Sequence, residues 1–251
     1  MFDGPGARNA KAPALRRAFK VAKDRSRPAS IPGAVYGNSS ELDLAADRVH
    51  ALGLTPVSRE TAERLDHFVG LLLDRNRTTN LIADSTIPRL WTRHIADSLQ
   101  LLGLASGSTW VDLGSGGGFP GMVLACAFVE SPGHTIHLVE SREKKAAFLR
   151  EVVHLIGAPA IIHAGRVESV INTLPKVDVV AARALAPLPK LLGYVYPLIQ
   201  KGAKALLMKG QDVAVELTQA SKYWKIEAQL VPSKTDPAGR ILIVSGLAKN
   251  R

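Results

Sequence analysis

The residues best suited to chemistry lie in one short stretch: Val111-Asp112-Leu113-Gly114-Ser115-Gly116-Gly117-Gly118-Phe119-Pro120-Gly121. A run this rich in glycine lets the backbone turn sharply and come close to a ligand. Four glycines between positions 114 and 118 also carry an entropic cost on folding, which a bound ligand offsets. Downstream, Glu140 closes the next apolar segment. A carboxylate there can accept hydrogen bonds from both ribose hydroxyls of a nucleoside. Gly116, Gly118 and Gly121 satisfy G-x-G-x-x-G literally, with Glu140 nineteen residues further on. That pattern alone leaves a nicotinamide dinucleotide as one candidate ligand.

The elements around this loop narrow the choice. From Thr109 onward, short apolar strands alternate with helices. Strands are expected at 109–113, 135–140, 160–164, 177–182 and 203–208, and helices at about 120–128, 142–156, 188–199 and 212–221. Nearly continuous apolar strands imply a parallel sheet covered on both faces by helices. Residues 224–231 and 240–246 follow with only a turn-rich Pro232–Gly239 segment between them, which predicts an antiparallel hairpin at the sheet edge. Before Thr109 the pattern is helical. Ser39 or Ser40 can cap a first helix. Ser58 can cap a second, with Leu65, Phe68, Val69 and Leu72 on one stripe. Thr86 can cap a third that runs to Gly103. The expected organisation is a basic arm at 1–37, a helical cap at 38–104 and the sheet domain at 105–251.

Composition sets outer bounds. The chain has 251 residues and is 46% hydrophobic, enough for one substantial core. Its longest apolar run, Phe119 to Val129, is too short to span a membrane. No apolar h-region marks a signal peptide, so a cytoplasmic location is expected. Cys126 is the only cysteine and sits in an apolar run, as a small core residue would. His137 and His163 offer no metal-ligand spacing, and no metal is expected. The formal net charge is +10. Residues 1–37 hold eight Lys and Arg against Asp3 and Asp24 and read as a weakly ordered arm. This balance favours a polyanionic partner.

Three features favour a methyl-donating sulfonium nucleoside over a dinucleotide. Asp112 stands two residues before Gly114 and presents an acid that suits a cationic ligand. More than a hundred residues precede the loop, whereas dinucleotide folds usually open with it. The terminal hairpin matches a seven-stranded methyltransferase sheet rather than six parallel strands. The expected fold is therefore α/β, a Rossmann-like class I SAM methyltransferase with a mostly parallel seven-stranded sheet, an antiparallel C-terminal hairpin and an N-terminal helical cap. The alternatives left open are an NAD(P)-dependent oxidoreductase and a non-catalytic RNA-binding or ribosome assembly factor.

A set of motifs in fixed order makes the reading specific. Asn80-Leu81-Ile82, Arg93-His94-Ile95-Ala96-Asp97-Ser98-Leu99, the glycine loop, Arg166-Val167-Glu168, Arg183-Ala184 and Lys209-Gly210-Gln211 together resemble the RsmG (GidB) family over about residues 58–246. The resemblance implies methyl transfer from S-adenosyl-L-methionine (SAM) to N7 of a guanine in the 530 loop of 16S rRNA, within a 30S subunit or assembly intermediate. It implies that Gly114 and Phe119 contact SAM, that Val167 and Glu168 border the adenine, and that Arg183 is a SAM or active-site contact. The remaining assignments rest on residue chemistry: Asp112 and Gly116 for the donor, Glu140 for the ribose, Arg93 and Lys209 for RNA. Arg93 and Asp97, four residues apart, can also simply pair. His94 lies on an apolar stripe and reads as a core histidine tying the cap to the sheet. A monomer is expected, with no general base, since guanine N7 already presents a lone pair. Deleting residues 1–37 should leave SAM affinity intact and weaken RNA binding mainly at low salt. Calorimetry and a salt titration of RNA binding check this, and unchanged RNA affinity removes the arm from the account.

Overall fold

The structure, a computed structural model, describes residues 38–250. The reading of residues 1–37 as a basic arm lies outside them. The first described element is α1 (Asn38–Leu54), followed by α2 (Arg59–Asn76). Ser58 caps α2 as expected, its hydroxyl accepting from Thr61 N at 3.0 Å. Leu65, Phe68, Val69 and Leu72 are all buried, so the stripe faces inward. Arg48 of α1 forms a two-pronged pair with Asp66 of α2 at 2.6 and 2.7 Å.

The third expected helix is broken into pieces. A 3-10 helix covers Asp84–Arg89, a π-helical turn Trp91–Ala96, a short α3 Asp97–Leu99, and a second 3-10 turn Gln100–Gly103. Thr86 is not its cap. The Thr86 hydroxyl donates to Ala83 O at 2.7 Å instead, and Pro88, without an N–H, sits inside the first piece. Widening to a π turn changes where side chains point, and such turns concentrate at functional sites. Here the turn buries Trp91, His94 and Ile95 while leaving Arg93 outside.

The sheet strands are β1 (Thr109–Leu113), β2 (Thr135–Glu140), β3 (Ala160–Ala164), β4 (Val179–Arg183), β5 (Lys204–Lys209), β6 (Trp224–Pro232) and β7 (Arg240–Lys249). Between them run α4 (Gly121–Phe128), α5 (Glu143–Ile156), α6 (Val167–Val170), α7 (Leu188–Ile199) and α8 (Val213–Ala220). The order is β3-β2-β1-β4-β5-β7-β6. Strands β1 to β5 pair in parallel, while β7 runs antiparallel to both β5 and β6. The mostly parallel sheet and its antiparallel hairpin are as expected. Strand β4 starts two residues later than expected. The Asp178 carboxylate accepts from Ser108 N and Thr109 N at 2.9 and 3.0 Å, which ties that residue to the entry of β1.

Alternation along the strands sorts the core into two layers. Val111, Leu113, Val180 and Ala182 face one cluster, with Leu192 and Val195 of α7. Trp110, Val179 and Ala181 face the other, together with α4, α5 and the cap residues Leu65, Phe68, Leu72, Trp91 and Ile95. The cap thus completes the sheet's covering layer on one face. Phe68 is fully buried in that layer, 5.6 Å from the Phe119 ring. Phe68→Ala should cost about 3–5 kcal/mol, read by denaturant unfolding. A loss under about 1 kcal/mol would contradict a shared core.

Candidate functional site

The strand order reverses about β1, which pairs with β2 on one side and β4 on the other. Open α/β sheets bind ligands at the carboxyl ends of the strands flanking such a point. Two cavities open there. The glycine-loop cavity, of about 560 Å³, is lined by Asn80, Gly114, Glu140, Val167, Glu168 and Leu185 among others. The arginine cavity, of about 520 Å³, is lined by Arg89, Arg93, His94, Arg183, Lys209 and Arg240 among others. Both volumes fall within the range of about 300–1,000 Å³ usual for small-molecule sites. They share Ala184, which follows Arg183 at the end of β4. Ala184 holds φ at +51°, the only non-glycine positive φ noted among the described residues. Such strain persists where surrounding structure holds it.

The glycine loop is organised by two carboxylates. Glu140 is buried. Its Oε2 accepts from Gly116 N at 2.8 Å and its Oε1 from Arg142 N at 2.7 Å. Asp112 is completely buried, with Oδ2 accepting from Gly121 N at 2.9 Å at the start of α4. Its Oδ1 has no partner. Burial pushes the Asp112 carboxyl up to about 6, against the lowering effect of the Ser115 hydroxyl and the Gly121 N–H. Gly114 has φ +79°, and a Cβ there would sit 2.6 Å from Leu185 Cδ1. The Asn80-Leu81-Ile82 motif packs on the same loop. Asn76 Oδ1 accepts from Leu81 N and Ile82 N at 2.9 and 3.0 Å. A Cβ on Gly117 would sit 3.0 Å from Leu81 O. An orphaned acid oxygen under a loop without room for a side chain fits a ligand that brings polar or cationic groups.

Arg183 is clamped from several directions. Nη1 donates to Arg93 O at 2.9 Å and to Asp97 Oδ2 at 3.3 Å. Nη2 donates to His94 Nδ1 at 2.7 Å. The guanidinium carbon lies 5.2 Å from the Phe119 ring centroid, and His94 stacks on the same ring at 4.8 Å. A guanidinium cannot accept a hydrogen bond, so His94 Nδ1 is the acceptor and its Nε2 carries the proton. Nε2–H then donates to Thr86 Oγ1 at 3.0 Å, and the Thr86 hydroxyl to Ala83 O. Burial, then the charges of Arg183 and Arg93, push the His94 imidazole down to about 3. It is therefore neutral at physiological pH. Asp97 also accepts from Gln100 Nε2 and Thr235 Oγ1, both at 2.8 Å, which fastens the hairpin turn to the clamp. Two of the five Arg183 N–H groups meet no protein acceptor among the described residues.

The structure does not bring all the expected residues into one cavity. Gly114, Glu140, Val167 and Glu168 line the glycine-loop cavity, while Arg93, Arg183 and Lys209 line the other. Asp112 and Phe119 are buried behind these walls, and the half-buried Gly116 lines neither cavity. Phe119 packs between Phe68, His94 and Arg183. The simple Arg93–Asp97 pair does not form, because Asp97 turns to Arg183 and leaves the Arg93 side chain exposed. Lys209 pairs with Glu216 at 2.6 Å, and its side chain is only 10% exposed. Glu168 accepts from Tyr194 Oη at 2.5 Å, which holds its carboxyl below the usual range. Sequence reasoning missed Thr86, Gln100, Thr235 and Arg240, since only packing of cap against hairpin assembles them. Lys145, in the first turn of α5, also lines the glycine-loop cavity. His137 Nδ1 lies 2.9 Å from His163 Nε2, and no group of three or more metal-ligating side chains occurs among the described residues.

Comparison with known proteins adds an independent line. Residues 61–240 match a family model described as rRNA small subunit methyltransferase G. A ribosomal RNA small subunit methyltransferase G of Bradyrhizobium sp. strain BTAi1 is 56% identical over 209 residues, 82% of this chain and 94% of that protein. One from Nitrobacter hamburgensis is 58% identical over 200 residues, 79% of this chain and 77% of that protein. Among solved structures, an O-methyltransferase from Bacillus cereus in complex with SAH matches with a TM-score of 0.52 and 13% identity, covering 82% of this chain and 99% of that one. A putative O-methyltransferase from Klebsiella pneumoniae gives a TM-score of 0.52 at 13% identity, covering 82% and 98%. These last two show likeness of fold, which is that of class I SAM methyltransferases.

The His94 network sets a pH dependence. Its folded pKa lies below the unfolded value of 6.5, so its contribution is complete above about 6.5 and is lost as pH falls toward 3. Asp112 acts oppositely: its raised pKa favours the folded state at low pH, and that contribution fades as pH rises through about 6. His94→Asn, which keeps an acceptor for Arg183, should remove the acid-side loss, about 2 kcal/mol at pH 5. Thermal unfolding of both proteins between pH 5 and 8 measures it. Equal slopes for the two would show that His94 is not held neutral.

Proposed function

Since this chain belongs to the rRNA small subunit methyltransferase G family, we propose that it transfers a methyl group from SAM to N7 of a guanine in the 530 loop of 16S rRNA. The observation that carries the proposal is the pair of cavities meeting at Ala184, which follows Arg183 at the end of β4. A bisubstrate transfer needs two pockets whose contents meet at one point, and the junction supplies it. The glycine-loop cavity takes the donor. Glu140 receives the ribose hydroxyls, Val167 and Glu168 border the adenine, and Gly114 lets the loop backbone approach. Asp112, buried behind the loop, holds Gly121 N and adds negative charge beneath a cationic ligand.

The arginine cavity takes the guanine. Bound SAM supplies a methyl already activated on a sulfonium, and guanine N7 offers a lone pair, so no proton need be removed before transfer. The protein's task is placement. Arg183 has two N–H groups left to donate toward guanine O6, while His94, Asp97 and Arg93 O fix their direction. Asp97 keeps the guanidinium paired, so the junction does not confront a cationic donor with an isolated positive charge. Arg93 lies at the rim for RNA. The base must leave its stack to enter a cavity of this kind. No role for a metal enters the scheme.

The deciding experiment incubates the protein with labelled SAM and 30S subunits lacking the modification, then maps the product. Methyl on the 530-loop guanine is expected, and methyl on another RNA or on a small molecule overturns the substrate. Gly114→Ala forces a side chain against Leu185 at a positive φ and should weaken SAM binding at least about tenfold, or about 1.4 kcal/mol, by calorimetry. Unchanged SAM affinity, or tight NADH binding instead, would place the ligand elsewhere.

A further inference from the structure

The glycine-loop cavity carries more positive charge than its proposed occupant needs. Arg142, Lys145, Arg166 and Lys190 line it, against the acids Glu140 and Glu168. Glu168 lies within electrostatic reach of Lys190 and Arg166, and the two acids together balance only two of the four cations. None of the four cations forms an ion pair within the described residues. SAM carries a sulfonium and an ammonium against a single carboxylate. A surplus of cations around it is unfavourable in itself, so those side chains answer to another, anionic group.

The arginine cavity repeats the pattern. Arg183 and Lys209 are neutralised by Asp97 and Glu216. Arg89, Arg93 and Arg240 are not, and the remaining acid, Asp236, accepts from Ala238 N. Arg89 and Arg93 are exposed, as are Arg142, Arg166 and Lys190. The two sets flank the Arg183–Ala184 junction on the rim formed by the carboxyl ends of the strands. Exposed cations in excess of the acids on both sides of a point where a base must arrive suit a chain of phosphates better than any single small anion.

We propose that the RNA backbone lies across the mouths of both cavities. Phosphates rest on Arg142, Lys145, Arg166 and Lys190 at one end and on Arg89, Arg93 and Arg240 at the other. Bound RNA then covers the donor cavity and retains its contents until the RNA leaves. This rests on the methyl-transfer reading above.

The test uses a transcript of unmodified small-subunit rRNA and three double variants of the full chain. Arg166→Glu with Lys190→Glu, and Arg89→Glu with Arg93→Glu, should each weaken RNA binding at least about tenfold at about 150 mM salt and lower the salt slope by about two. Lys176→Glu with Lys201→Glu reverses exposed charges at the amino ends of the strands and should change affinity less than about threefold. Release of bound S-adenosylhomocysteine from the wild-type protein should slow at least about tenfold when the transcript is saturating. RNA affinity within twofold for the Arg166/Lys190 pair, an equal loss for the control pair, or an unchanged release rate would overturn the inference. If the wild-type chain methylates rRNA while any of these occurs, only this inference fails. If it does not methylate rRNA, the reading beneath fails.

Discussion

The Arg183 guanidinium holds together parts of the chain that are far apart in sequence. Its partners are Arg93 O and His94 from the π turn of the cap and Asp97 from the short α3 that follows, and its flat face covers Phe119 of the glycine loop. Asp97 in turn grips Thr235 in the hairpin turn. Cap, loop, β4 and hairpin therefore meet at one planar cation. Taking a charge out of water costs several kcal/mol unless it is paired and fully hydrogen-bonded. That cost accounts for the number of partners, and for His94 being neutral: a second cation at that position would repel the first.

The two cavities differ in how they use charge. Beneath the glycine loop the electrostatics are inward and acidic, with Asp112 and Glu140 buried and ordering backbone N–H groups. At the rims they are outward and basic. Buried acids preorganise a loop because their position is locked before any ligand arrives. Exposed arginines attract a polyanion over distance and are screened by salt. Desolvated and solvated charges thus act at different ranges within a few residues of one another, as the proposed meeting of a small cationic nucleoside and a large polyanion requires.

The helical cap contributes more than a cover. Phe68, Trp91 and Ile95 complete the core layer on one face of the sheet, and the irregular run from Asp84 to Gly103 bends to present His94 inward and Arg93 outward. A regular helix from Thr86 would have kept the smooth amphipathic stripe its sequence suggests. The break is local, and the gain is long-range: Thr92 reaches Asp47 of α1, while Gln100 reaches Ser233 and Lys234 in the hairpin turn.

Most of the architecture follows from the order of residues alone. Alternating apolar strands, the Ser58 cap, the glycine loop with its flanking acids, and the helix-free ending dictate a parallel sheet with an antiparallel edge, because each is a short-range preference of backbone and side chain. The motif order likewise identifies the family. What required the tertiary structure was the partnership of charges. Asp97 prefers Arg183, eighty-six residues away, to Arg93 four residues before it. Lys209 turns to Glu216, Phe119 turns into the core, and Lys145 joins a cavity rim. Such choices depend on which groups lose their water when distant elements close together. Desolvation is a property of the packed fold, so no local spacing in the chain records it.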